Sequence, residues 1–402
     1  MAHPIYMDHH ATTPMDPRVV QAVMPYLQDR FGNPSSTGHV FGRQAMKAVE
    51  KARHQVARLI GAHPEEILFT SGATESNNLA LLGIMGGGPP GRRLITCQTE
   101  HISVLEVARL LERQGTRVTY LPVDHDGLLD PDRLRQALPG GPALVSVMRA
   151  NNEIGTLHPL RKVGAACREF GALLHTDAAQ AVGQIPVDVL DLGVDLLSLS
   201  GHKLHGPKGV GALYLRSGSR QPLRPLFSGG GQEQGRRPGT LNVPGIVGLG
   251  EACRLARQEM QANGLRVRRL RDRLQAALLA RLESVTVNGH IRERLPGNLN
   301  LSFANVEGEA LMLAMPDLAV STGSACASGR NEPSRVLLAL GKDAASARGA
   351  IRFGLGRFNT EEEVDRAVEI VVQAVTRLRD LSPFSLGDAA GSPPQGNSAS
   401  RR

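Results

Sequence analysis

Between Ile67 and Leu199 the chain alternates short apolar runs with amphipathic stretches, a pattern that few folds accept. The runs are Ile67–Thr70, Arg93–Cys97, Val118–Leu121, Ala143–Met148, Leu173–Asp177 and Asp195–Leu199. Short runs of this kind, bounded by turn residues, read as buried strands. Helical patterns lie between them, near Leu79–Leu82 and over Val104–Gln114, Leu134–Leu138 and Leu160–Phe170. Such alternation predicts an α/β fold with a mainly parallel, doubly wound sheet. Ligands of these sheets sit beyond the carboxyl ends of the strands. Thr74, His101, Asn152, Asp177 and Lys203 all fall just after a predicted strand.

The flanks have other patterns. Met15–Leu27 reads as a helix with Pro17 near its start, and Phe41–Ile60 as a helix with a basic outer face. Phe227–Thr240 is rich in Gly and Arg and reads as a phosphate or interface loop. Val247–Leu282 is largely helical and is expected to connect two domains. Val285–Val287, Asn298–Phe303 and Ala319–Val320 are strand-like, and Val364–Leu381 is an amphipathic helix. These suit a smaller α+β domain. The Ser-, Gly- and Pro-rich tail after Leu381 is expected to be disordered.

With 402 residues the chain exceeds one small core. No apolar run is long enough for a membrane span, and the N-terminus carries no secretory pattern, so a cytoplasmic location and no membrane partner are expected. The net charge of +8 is spread along the chain and aromatics are only 3%, so direct nucleic-acid binding is not expected. Cys97, Cys167, Cys253 and Cys326 show no metal-ligand spacing, and no resident metal site is expected. The first three sit in strand or helix patterns and read as core. Cys326 lies among Ser, Gly and Ala and reads as an accessible thiol.

Asp177 and Lys203, each at a strand end, are what a pyridoxal phosphate (PLP) site needs. A lysine amine holds the aldehyde as a Schiff base, and a carboxylate keeps the ring nitrogen protonated. Thr74 at a helix start, with Ser200 and His202, could hold the phosphate. His101 could stack on the ring and move protons. Arg352 could capture a substrate carboxylate, although a surface ion pair is the plainer reading.

The stretches Asp8–Pro14, Phe31–Pro34, Thr70–Ser76, Thr99–His101, Asn151–Gly155, Asp177–Gln180, Ser200–Lys203, Arg237–Thr240 and Ser324–Cys326 together resemble the IscS/NifS-like cysteine desulfurases, among the class-V aminotransferases of fold-type I. The resemblance runs from Tyr6 to about Pro383. It implies a large PLP-binding domain (16–260) with a seven-stranded sheet, a small domain (1–15 and 261–382) carrying the cysteine loop, and a tail (383–402). It implies that Lys203 binds PLP covalently, Asp177 pairs with the ring nitrogen, Gln180 bonds the ring oxygen and His101 stacks on the ring. Ala73, Thr74, Ser200 and His202 would line the phosphate side, joined by Thr240 from a second subunit of a homodimer. Asn152 and Arg352 would hold the carboxylate of L-cysteine. Cys326 would take the sulfur as a persulfide, release L-alanine, and pass sulfur to an acceptor such as an iron–sulfur scaffold or a tRNA-thiolation relay. On such a scaffold Cys326 would transiently ligate a cluster iron. The alternatives are a selenocysteine lyase or aminotransferase of the same fold, or a non-catalytic scaffold.

Overall fold

The computed structural model describes residues 4–87, 91–218, 222–323 and 332–381. The strands are β1 (Ile5–Tyr6), β2 (Ile67–Thr70), β3 (Arg93–Cys97), β4 (Val118–Leu121), β5 (Ala143–Ser146), β6 (Leu173–Asp177), β7 (Leu196–Ser200), β8 (Gly211–Leu215), β9 (Val285–Asn288), β10 (Asn298–Phe303), β11 (Leu318–Ala319) and β12 (Ala350–Gly354). The helices are α1 (Pro17–Gln28), α2 (Val40–Ile60), α3 (Ala73–Gly87), α4 (Ile102–Arg113), α5 (Pro131–Ala137), α6 (Leu160–Glu169), α7 (Val189–Leu192), α8 (Val243–Arg281), α9 (Gly308–Leu313), α10 (Arg335–Ala339), α11 (Ala344–Arg348) and α12 (Glu361–Leu381).

Seven strands form one sheet in the order β2-β8-β7-β6-β5-β3-β4. The pairs among β3 to β7 are parallel, whereas β8 lies antiparallel to both β2 and β7. Six strands therefore run one way, and their carboxyl ends share one edge. The mainly parallel α/β sheet is as the sequence implies. The strand β8 is not among the apolar runs predicted from sequence. It fits because Gly211 has no side chain: a Cβ there would sit 2.6 Å from the Gly72 Cα and 2.5 Å from the Leu199 oxygen.

A second sheet, β12-β10-β9, is antiparallel, and β1 pairs with β11 in parallel. The chain's first strand therefore packs with its last third. The helix α8, about 58 Å long at 1.5 Å per residue, crosses between two cores. Its first half buries Ile246, Leu249 and Cys253 with the large sheet. Its second half buries Val267, Leu270, Leu274 and Leu278 with the small sheet and with Val364, Val368, Val371 and Val375 of α12.

An ion-pair cluster ties α1 to both halves. Asp16 caps α1, accepting from the Arg18 amide at 2.8 Å and from the Arg18 guanidinium at 2.9 Å. It also accepts from Arg357 at 2.6 Å. Arg18 is the main cause that holds the buried Asp16 carboxyl down at about 2, below its ordinary 3.8. Removing a cap and leaving buried Arg357 without this partner should cost about 2–4 kcal/mol in Asp16→Ala. A depressed carboxyl contributes fully above about 4 and loses that contribution as pH falls toward about 2. Urea midpoints should therefore separate wild type from Asp16→Ala at neutral pH and converge in acid.

Candidate active site

Along the carboxyl edge of the large sheet lies a cleft of about 540 Å³. It is lined by Ala73, Thr74, His101, Asn152, Asp177, Gln180, Ser200, His202, Lys203 and Arg352, together with His10 and Lys208. Each comes from the last residue of a strand, from the turn or helix start after one, or from the small sheet.

On one side, β2 ends in the turn Ser71–Gly72 and α3 begins at Ala73. The first amides of a helix have no intrahelical acceptor, so they face outward as donors. Gly72 has φ +152°, and a Cβ there would approach the Ser200 Oγ to 3.6 Å, within the turn. Glu75 braces the turn: it accepts from the Ser71 amide at 2.7 Å and from Arg237 at 2.8 Å. His202 follows Ser200, its Nδ1 3.1 Å from the Thr12 hydroxyl oxygen. Burial, with Lys203 and Lys208 nearby, lowers its imidazole to about 4. It is neutral at pH 7.

Lys203 ends the short 3₁₀ turn after β7. Its Nζ donates to the carbonyl oxygens of His10 and, at 2.8 Å, Ala11. Gln180 is held by the same segment: its Nε2 donates to the His10 carbonyl at 3.0 Å and its Oε1 meets His10 Nδ1 at 3.0 Å. A turn from the N-terminal segment thus fixes both side chains.

Asp177 ends β6, 6% exposed. Its Oδ1 accepts from the Ala179 amide at 2.9 Å and its Oδ2 from Asn77 Nδ2 at 2.7 Å. Asn77 Nδ2 also donates to Ser103 Oγ at 2.9 Å, and Ser103 Oγ lies 2.8 Å from His101 Nδ1. His101 caps α4, its Nδ1 accepting from the Ser103 amide at 3.2 Å. Burial lowers the His101 pKa, Asp177 opposes that shift, and Lys203 and Arg335 add to it.

Arg352 projects from β12 and is buried. Its guanidinium donates to Asp8 at 2.8 Å, to the Ser321 hydroxyl at 2.7 Å and to the Asn152 carbonyl at 2.9 Å. The plain reading of Arg352 as a surface ion pair does not hold. It is an interior cation at the cleft wall, already in contact with one carboxylate.

Of the residues singled out from sequence, Thr240 alone among the described ones stands apart, exposed on the Gly- and Arg-rich loop and outside this cleft. Cys326 lies outside the described residues, as does the tail from Ser382. Cys97, Cys167 and Cys253 are buried free thiols, and burial pushes Cys97 up to about 11 and Cys167 up to about 12. Asn77, Ser103, Asp8 and Lys208 were not singled out as site residues by the sequence.

A model of the family described as "Aminotransferase class-V" matches residues 5–367. The chain belongs to the class-V aminotransferases. Within that family it is 56% identical over 385 residues to "Cysteine desulfurase IscS" of Anaeromyxobacter sp. (strain Fw109-5), covering 96% of this chain and 95% of that one. It is 52% identical over 382 residues to human "Cysteine desulfurase", covering 95% of this chain and 84% of that one. A solved "NIFS-LIKE PROTEIN" superposes with a TM-score of 0.87 at 38% identity, covering 93% of this chain and all (100%) of that one.

Class-V aminotransferases are PLP enzymes, and the cleft of this member fits the cofactor. The glycine turn at Gly72 with the first amides of α3 leaves a cradle that a side chain would fill, beside Thr74, Ser200 and His202. Lys203 offers an amine in the same cleft. Asp177 has two N–H donors for about four acceptor positions, so its carboxylate keeps room for a third donor. Phosphate, aldehyde and ring nitrogen each find a chemically matched group.

Proposed function

We propose that this protein is a PLP-dependent cysteine desulfurase, which converts L-cysteine to L-alanine and leaves a persulfide on Cys326. The observation that carries this is the convergence of Lys203, Asp177, Gln180 and His101 in one cleft with Arg352 and Asn152 on its wall. Its near-full-length likeness to cysteine desulfurases points the same way.

Bound PLP supplies a covalent handle for the substrate amine and an electron sink for bonds at its α- and β-carbons. In this reading Lys203 holds the cofactor and carries the α-proton, Asp177 pairs with the ring nitrogen, and Gln180 bonds the ring oxygen. Ala73, Thr74, Ser200 and His202 cradle the phosphate. Arg352, already braced by Asp8 and Ser321, takes the substrate carboxylate beside Asn152. The Cys326 thiolate attacks the substrate sulfur. The carbon–sulfur bond breaks, the sulfur stays as Cys326–S–S⁻, and the carbon skeleton leaves as L-alanine once its β-carbon gains a proton. Thiol and substrate enter, persulfide and alanine leave, and no outside oxidant or reductant is needed.

We divide the chain into a large unit (16–260) and a small one (1–15 and 261–382), each centred on its own hydrophobic cluster. A homodimer brings Thr240 of one chain to the phosphate of the other. Exposed Phe31, Val40, Phe41 and Phe227 favour such an interface, Phe31 and Phe41 stacking at 5.6 Å. The acceptor is a sulfur-carrier protein, for which we name an iron–sulfur scaffold or a tRNA-thiolation relay. A reducing cytoplasm suits the free buried thiols, and no helix among the described residues is long and apolar enough to cross a membrane.

The test is to give purified protein L-cysteine and follow alanine and sulfide together. Wild type should release them in equal amounts when a thiol reductant is present, and Cys326→Ala should lower both by at least about a hundredfold. Alanine release unchanged in Cys326→Ala would move the assignment to a lyase. A protein that takes up no PLP would overturn the enzyme assignment altogether.

A further inference from the structure

We propose that Asn77 and Ser103 are positioning residues that fix the tautomer of His101 and join its ring to Asp177, so that His101 turns a hydrogen-bond donor, not an acceptor, toward the cleft. The role of that donor in catalysis rests on the assignment of the cleft to PLP. The tautomer itself does not.

An ionised carboxylate only accepts hydrogen bonds, so the Asn77 atom 2.7 Å from Asp177 Oδ2 must be its NH₂. The second hydrogen of that NH₂ points to Ser103 Oγ at 2.9 Å. Ser103 Oγ is thereby an acceptor for Asn77, and its own hydrogen is free to go to His101 Nδ1, 2.8 Å away. The Ser103 amide donates to the same Nδ1 at 3.2 Å. Two donors aimed at one ring nitrogen require its lone pair, so the neutral ring carries its hydrogen on Nε2. Turning the ring over would set a carbon against both donors. Protonating Nδ1 would set N–H against N–H, which is why the α4 amide at this cap opposes an imidazolium.

Burial acts in the same direction, whereas the nearby charges are mixed. Asn77 and Ser103 are both buried, with Asn77 at 0% exposure. The charged groups around His101 are Asp177, which favours its protonation, and Lys203 and Arg335, which disfavour it. Hydrogen bonds in such a chain, Asp177–Asn77–Ser103–His101, polarise one another in a low-dielectric interior. His101 is then suited to give a hydrogen bond from its Nε2–H to substrate or cofactor. The first proton acceptor falls to Lys203.

The experiment is long-range ¹H–¹⁵N correlation of the histidine rings in the full chain loaded with PLP, with His101 assigned by His101→Gln. Wild type should show Nε2–H and unprotonated Nδ1 at His101. In Asn77→Ala the Ser103 hydroxyl loses its donor and can rotate to accept from Nδ1–H. The ring should then populate both tautomers and its pKa should rise by about one unit, a tenfold change in proton affinity. Ser103→Ala should shift the ring in the same sense, and Ser103→Thr, which keeps the hydroxyl, should restore the wild-type pattern. In Asn77→Ala, kcat for L-cysteine should fall about tenfold with KM within about twofold. An Nδ1–H ring in wild type overturns the proposal. So does a ring unchanged in Ser103→Ala, a variant that keeps α3 and Asn77 intact should Asn77→Ala fail to fold. Failure of the PLP assignment reads separately, as a protein without a visible cofactor band whose His101 tautomer is still measurable.

Discussion

Lys203→Ala should yield a colourless protein whose turnover of L-cysteine is lower by at least about 10⁴-fold, because it removes the amine that we assign as the covalent nucleophile. The positioning of Lys203 makes this a clean test. Its Nζ is held by two carbonyls of the N-terminal turn, His10 and Ala11, while the backbone around it is fixed by the Thr13 bonds to the His202 carbonyl. Truncation leaves the Ala11 carbonyl without the amine, at a cost of about 1–3 kcal/mol if water does not reach it, while the His10 carbonyl keeps its bond from Gln180. Lys203→Arg separates chemistry from packing. It keeps a charge and donors for both carbonyls, yet a guanidinium remains protonated and forms no stable bond to an aldehyde. Both variants should therefore be inactive, while Lys203→Arg keeps wild-type stability. The measurements are the visible spectrum, alanine release and the urea midpoint of each variant. Turnover within tenfold of wild type in Lys203→Arg would remove Lys203 from the mechanism.

Much of this site was legible in the sequence because a parallel sheet puts its ligand residues in one place by topology. Once the strands ending near Thr70, Cys97, Met148, Asp177 and Ser200 were recognised, the residues after them had to share an edge. What topology does not dictate was missed. The strand β8 follows a glycine-rich loop and enters the sheet backwards, between β2 and β7. That insertion is a long-range choice with no local periodicity to announce it. The strand β12 carries Arg352 in the middle of an apolar run, so the charge hides the strand although the guanidinium is buried against Asp8. Asn77 and Ser103 lie near the starts of α3 and α4, just ahead of the helical patterns predicted from sequence, where Asn and Ser are ordinary residues. Their meaning comes from the packing of α3 on α4 against the end of β6, a contact no spacing encodes. The N-terminal turn is a further case. Asp8 to Pro14 stands in the sequence only as one of the stretches that carry the resemblance, and its backbone carbonyls hold the lysine.

Asp177→Asn is expected to keep the cofactor and lose the chemistry, with kcat lower by on the order of 10³-fold, as when a fixed electrostatic partner is taken from a developing charge. The carboxylate has two fixed donors, the Ala179 amide on Oδ1 and the Asn77 amide on Oδ2. An asparagine in its place must turn its NH₂ toward one of them. Donor then faces donor, and a buried N–H is left unpaired at a cost of about 1–3 kcal/mol. The substitution therefore acts twice: it removes the negative charge that, in the proposed role, would keep the ring nitrogen of bound PLP protonated, and it disturbs the chain that leads through Asn77 and Ser103 to His101. The two effects separate in the double variant with Asn77→Asp, where the pair of side chains is exchanged and donor meets acceptor again. Packing should recover in Asp177→Asn/Asn77→Asp, while kcat stays low because the charge now sits on α3; the introduced carboxylate accepts from the Ser103 hydroxyl, so the His101 ring should shift as in Asn77→Ala. Visible spectra, ring ¹⁵N shifts and alanine release on the three proteins provide the comparison. If kcat recovered with the packing, the charge on β6 would not be what the chemistry uses, and Asp177 would be a member of the hydrogen-bond chain only.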